Sequence, residues 1–209
     1  MSKFTLEDVN GMYFDVLKEI GNIGSGNATT AIASMLGLRI DMQVPQVKLL
    51  SFQQLGSEIC AEDEIIVGTF LEVQGDISGS MMFLMRIPSA RYLVNKLMMN
   101  ENGDLENGNF TEMELSALKE IGNIIAGSYL NALSTLTNMT IVPSVPYIAI
   151  DMAAAILSVP AIQFGQYGDN ALMIETEFGD EVMIDGYFIL MPELDSYDTI
   201  LTSLGIPLE

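Results

Sequence analysis

Apolar residues recur along this chain at two spacings, and the change from one to the other divides it into elements. Tyr13, Val16, Leu17, Ile20 and Ile23 return at three- and four-residue steps, the stripe of a helix packed on one side. That stretch opens near the capping residues Thr5 and Asn10 and runs toward glycines 21, 24 and 26. Residues 27–36 predict a second helix stopped by Gly37. Residues 39–44 alternate as a strand does, with Pro45 at the end. A short helix over 52–58 follows, then strands over 65–73 and 80–85 joined through Gly75-Asp76, then a helix from Pro88 to residue 99.

The series then comes round again. Thr111 and Glu114 have capping-box spacing and open a helix whose inward stripe is Leu118, Ile121 and Ile124. A second helix over 128–137 and a strand over 140–145 ended by Pro146 come next. They lead to a helix over 151–158 capped by Asp151, strands over 171–178 and 182–190 across Gly179-Asp180, and a last helix over 193–204 opened by Pro192. Asp15 and Ser116, Glu19 and Glu120, Asn22 and Asn123, Pro45 and Pro146 are each 101 positions apart. Pro88 and Pro192 are 104 apart, which places three added residues in the later half of the second copy. Residues 1–99 and 111–209 thus read as α+β repeats and 100–110 as an acidic, glycine-bearing linker. The two repeats form one compact domain with a pseudo-two-fold axis.

Polar residues repeat as faithfully as apolar ones. At about 100° per residue, Asp15, Glu19 and Asn22 share the outward face of the first helix, and Ser116, Glu120 and Asn123 that of its copy. A single Glu-x-x-Asn on a helix is ordinarily a solvated face. A shared core accounts for repeated Ile and Leu, but water does not require Glu and Asn at matching places.

Composition narrows the chemistry. Eight basic against twenty-eight acidic side chains give a net charge of −20, which repels nucleic acid and anionic membrane and favours a partner with a basic protein surface. Histidine is absent, so imidazole serves neither as base nor as ligand. Cys60 is alone, and no paired-cysteine metal spacing exists. The first residues lack a signal peptide's apolar core and no run is long enough to span a bilayer, so a cytoplasmic protein is expected. Glu62-Asp63-Glu64 has too few spaced donors for a hard cation and reads as a solvated turn. Glycines 21, 24 and 26 have the wrong spacing for a phosphate loop; they predict close backbone approach, to the neighbouring helix or to a docked protein. Glu and Asn by themselves supply no nucleophile and no metal cage, so residue chemistry ends at a duplicated polar face.

An acidic residue or Ser, three residues, Glu, two residues, Asn, then twenty-two residues and Pro resembles the signature of the CheC/CheX/FliY family of chemotaxis phosphatases, and both copies match it. The likeness extends over essentially the whole chain, through Gly-Asn-Ile-Gly-Ser-Gly at 21–26 and Gly-Asn-Ile-Ile-Ala-Gly at 122–127. Two intact motifs favour the CheC branch over CheX, and the lack of an appended switch domain speaks against FliY. The resemblance implies an α+β fold with a central, largely antiparallel sheet and the two motif helices on one side. It implies hydrolysis of the aspartyl-phosphate of the response regulator CheY, whose own magnesium ion completes the centre, with no cofactor held by this chain. Asn22 and Asn123 would orient the attacking water, Glu19 and Glu120 would pair with a lysine of the regulator, and Asp15 and Ser116 would flank each site. Gly21 and Gly122 would let the helix approach. A second implied partner is the receptor deamidase CheD, placed near the helix beginning at Asp151. A monomer is expected because the duplication supplies what a homodimer would. The alternative is an adaptor that binds phosphorylated CheY and CheD without catalysis.

Overall fold

Both halves of the chain fold through the same order of elements in the computed structural model, which describes residues 11–43, 45–100, 103–105, 107–164, 170–180 and 183–204. The first half contains α1 (Gly11–Leu36), β1 (Asp41–Met42), β2 (Gln46–Ser51), α2 (Phe52–Ile59), β3 (Ile65–Gly75), β4 (Gly79–Arg86) and α3 (Ile87–Leu97). The second contains α4 (Glu112–Thr137), β5 (Ile141–Pro143), β6 (Tyr147–Met152), α5 (Ala153–Phe164), β7 (Asn170–Gly179), β8 (Met183–Pro192) and α6 (Leu194–Ser203). The helix start expected at Thr5 or Asn10 and the strand start at Val182 lie outside the described residues.

The two helices expected ahead of each proline are one continuous helix of 26 residues in each half. Glycine inside a helix costs about 1 kcal/mol relative to alanine, and here packing offsets that cost at Gly21, Gly24 and Gly122. A Cβ on Gly24 would stand 2.4 Å from the ring of Tyr129, and one on Gly122 would stand 2.6 Å from Thr69. The helices end alike: Gly37 and Asn138, 101 positions apart, both turn left-handed, with φ of 65° and 55°. The expected capping box opens α4, where the Thr111 hydroxyl accepts from the Glu114 amide and the Glu114 carboxylate accepts from the Thr111 amide.

Among the described residues, all strands join one eight-stranded sheet in which every pairing is antiparallel. Its order is β1-β7-β8-β4-β3-β5, with β2 also on β7 and β6 also on β3. Each half therefore lends its first two strands to the hairpin of the other. Val47 pairs with Ile174 and Ile148 with Thr69; adding 101 to the first strand and subtracting 105 from its partner turns one pair into the other. Phe83 pairs with Phe188, also 105 apart, so the pseudo-two-fold axis passes through that pair, perpendicular to the sheet. The insertion is thus four residues, not three. It is one added helical turn: α2 and α5 begin 101 positions apart but have 8 and 12 residues.

Strand alternation sends Met81, Phe83, Met85, Phe188 and Leu190 to one face, beneath α1, α4 and α3, and Met82, Leu84, Tyr187 and Ile189 to the other, beneath α2 and α5. The perpendicular axis makes α1 and α4 antiparallel neighbours on the same face.

Further expectations are corrected. Strands β2 and β6 follow the prolines, where the sequence pattern predicts no strand and, from residue 151, a helix. Asp151 lies in β6, paired opposite Ile66, and does not cap a helix; ladder pairing with β3 keeps it extended. The carbonyls of Glu62 and Glu64 cap α5 instead, accepting from Ala154 and Ala153 at 3.0 and 2.8 Å. Pro192 ends β8 and Glu193 caps α6, because β8 stays laddered to β4 as far as the Gly79 pairing. Between α3 and α4, the buried Arg91 donates to the carbonyls of Asn107 and Asn109, pairs with Glu114 at 2.6 Å and lies over the Phe110 ring.

Candidate functional site: the outward stripes of the two long helices

Each motif is seated by its glycine. A Cβ on Gly21 would stand 3.2 Å from Val47, 3.4 Å from Ile174 and 3.7 Å from Pro45, so the helix lies flush on β2 and β7. Gly122 lies on Thr69 of β3 in the same way. The sequence predicts close approach to the neighbouring helix or to a docked protein; at Gly21 and Gly122 it is to the sheet instead, and only Gly24 meets the neighbouring helix, at Tyr129. The approach to the sheet also explains the fixed spacing to proline, since Pro45 and Pro146 are both buried and Pro45 fills the floor beneath Gly21.

With glycine, Ile20 and Ile121 turned inward, the intervening polar residues turn outward. Glu19, Asn22, Glu120 and Asn123 are all exposed, and none takes part in a hydrogen bond or ion pair among the described residues. Ser116 is exposed too, but its hydroxyl donates to the Glu112 carbonyl at 2.9 Å, within its own helix. Asp15 belongs to the stretch 11–17, where the backbone alone is described. Leu118 is fully buried, while Ile23 and Ile124 are half-buried.

The two seats differ underneath. Tyr129 of α4 crosses into the space left by Gly24, stacks on Phe188 with ring centroids 4.1 Å apart, and bonds to Ser25 at 2.8 Å and Thr176 at 2.7 Å. Ser25 in turn donates to the Gly21 carbonyl at 2.5 Å, inside the first motif. Burial pushes the Tyr129 hydroxyl above its ordinary pKa, so it stays a neutral donor and acceptor. The counterparts of Ser25 and Tyr129 are Ala126 and Ala28, so the second motif has no such network. Beneath it the buried Thr69 hydroxyl has no hydrogen-bond partner among the described residues.

A carboxylate and a carboxamide one helical turn apart can accept from a cation and from water, and can donate to an anion; they do not form a complete hydrolytic centre. No group of three or more carboxylates or thiols among the described residues could hold a metal ion. The Glu62-Asp63-Glu64 turn serves as the cap of α5, and Glu64 faces Arg86 at 3.6 Å. Asp151 is exposed, its carboxylate accepting from the Met152 amide at 2.8 Å. It borders a groove of about 450 Å³ between β6 and α5, with Tyr147, Ile156 and Val159 in its lining. Sequence reasoning missed that groove because it missed β6. No helix among the described residues is long and apolar enough to cross a membrane.

The pattern of the CheC-like family matches residues 12–49 and 113–150, the two stretches that run from an outward Glu/Asn pair to its proline and beyond. The chain is 37% identical over 197 residues to the CheY-P phosphatase CheC of Bacillus subtilis (strain 168), covering 93% of this chain and 94% of that one. It is 27% identical over 141 residues to the flagellar motor switch phosphatase FliY of the same organism, covering 68% of this chain and 36% of that one. Among solved structures, FliY of Thermotoga maritima matches with a TM-score of 0.73 at 23% identity over 98% of each chain, a likeness of fold.

Proposed function

Because this chain belongs to the CheC-like family, we propose that it is a phosphatase that hydrolyses the aspartyl-phosphate of the chemotaxis response regulator CheY. The observation that carries the reading is the duplicated outward Glu/Asn pair, which makes no bond among the described residues and so is left for a partner.

In the reaction a water oxygen bonds to phosphorus while the bond from phosphorus to the aspartyl oxygen breaks, giving inorganic phosphate and a free carboxylate. Such a transfer needs positioning and charge compensation more than covalent help. The regulator brings the phosphoryl group together with the magnesium ion that balances its charge. The carboxamide of Asn22 or Asn123 enters the regulator's site, its oxygen accepting a water hydrogen so that the water lies in line with the breaking bond. Glu19 or Glu120 pairs with a lysine of the regulator and fixes the register of the helix. Asp15 and Ser116 flank the contact, and their exchange between copies means that charge is optional there.

The test is decay of a phosphorylated regulator in magnesium. Wild-type chain hastens it, and the Asn22→Ala/Asn123→Ala double variant does not. Decay that is the same with and without wild-type chain refutes the phosphatase and leaves an adaptor.

A second contact, with the deamidase CheD, falls on the groove bordered by Asp151. Tyr147, 68% exposed, and Val145, 78% exposed, give its rim an apolar character, and Asp151 adds a charge. Asp151→Lys is expected to weaken CheD binding measured by calorimetry while phosphatase activity is retained; undiminished affinity moves that contact elsewhere. The same reading has the chain acting as a monomer in the cytoplasm.

A further inference from the structure

Gly26 and Gly127 have no reason within the described structure to be glycine. They are 101 positions apart and each follows its asparagine by four residues, on the same outward stripe. Neither has a positive φ, since the positive-φ glycines are Gly37 and Gly75. Neither ends a helix, as both lie inside α1 and α4. A Cβ at either would meet nothing within 4 Å, whereas at Gly21, Gly24 and Gly122 it would meet Val47, Tyr129 and Thr69. Both are half-buried, with open space where a Cβ would stand; a glycine in mid-helix weakens the helix relative to alanine, and the same weakness stands at the same place in both copies.

We infer that Gly26 and Gly127 are the positions where the phosphorylated regulator comes down onto the helix backbone, and that each missing Cβ leaves room for the rim of the phosphorylated pocket. This rests on the phosphatase reading above. Asparagine has a single methylene between backbone and carboxamide. The amide therefore reaches an enclosed phosphoryl group only if the helix itself comes close. Four residues are about 6 Å along the axis, so a side chain at 26 or 127 would stand beside the amide and hold the partner off. Glutamate, three residues before the asparagine, makes the charged contact on the other side; glycine makes the flat one.

The Gly26→Ala/Gly127→Ala chain, with both asparagines intact, is compared with wild type in three measurements. These are thermal unfolding, decay of the phosphorylated regulator over a range of its concentration, and affinity for the regulator carrying beryllofluoride in place of phosphate. The melting temperature is expected to rise, while affinity falls roughly tenfold and KM rises, with a larger loss for leucine than for alanine. Unchanged affinity and unchanged kcat/KM overturn the inference. A lower melting temperature also overturns it, because the glycines would then serve the chain's own packing. A wild-type chain that binds the regulator without hastening decay refutes the phosphatase reading instead, and the affinity comparison still judges the glycines. A wild-type chain that does neither overturns both.

Discussion

Four side chains carry the proposed chemistry, and what marks them is their freedom from other duties. Glu19 and Asn22, with Glu120 and Asn123, lie outward and unbonded among the described residues, whereas Ser116, Asp151 and Glu64 are occupied. Ser116 bonds back to its own helix, Asp151 to the Met152 amide, and Glu64 to Arg86. The four were legible from a single sequence because the copies agree where burial gives no reason for agreement. Their inequality was not legible. Tyr129 lies 104 positions from Ser25 and no local spacing announces that they touch. Two independent sites predict that Asn22→Ala and Asn123→Ala each leave part of the phosphatase activity. Complete loss from Asn22→Ala alone, read in the same decay assay, would refute independence.

Helix termini follow local rules at Thr111 and Gly37, but not at Asp151 or Pro192, where strand pairing overrides them. The capping box expected at Thr111 and Glu114 forms, and the structure adds another, not expected from the sequence, at Ser51 and Gln54. Helix interiors and strand edges did not follow so simply. Glycines 21, 24 and 26 suggested a break in α1, yet two of them mark contacts with the sheet and with Tyr129. Residues 46–51 and 147–152 form strands because β7 and β3 offer partners, and those partners are more than 75 residues away in the chain. Glu114 ties two elements together, and its carboxyl is held below the usual pKa. The Thr111 backbone amide is the first cause, with the Thr111 hydroxyl and the Arg91 charge adding to it against burial. A lowered folded pKa means that the unfolded chain binds more protons in that window. The stabilisation is present above the ordinary carboxylate pKa and is lost as pH falls through Glu114's own. Urea unfolding across that acid range is expected to show a shallower loss of stability for Glu114→Gln than for wild type, and equal slopes would discount the pair.

At the scale of the molecule, the two copies are interlocked. β2 has its partner in β7 and β6 has its partner in β3, while β4 and β8 join across the axis at Phe83 and Phe188. Neither half can complete a sheet alone, and each would expose open edges and an apolar face. Residues 1–99 by themselves are expected to lack stable structure by circular dichroism, and mixing them with residues 100–209 should restore the spectrum and the phosphatase activity. A folded, cooperative 1–99 fragment would show that the exchange of strands is dispensable.

The sequence by itself determined the repeat, the outward Glu/Asn pairs and most helix ends, because each depends on neighbours a few residues apart. Tertiary structure decided which strands pair, that four inserted residues lengthen α5 by a turn, and that Gly21 and Gly24 face inward while Gly26 faces out. Those outcomes depend on contacts between residues far apart in the chain, which no local period records.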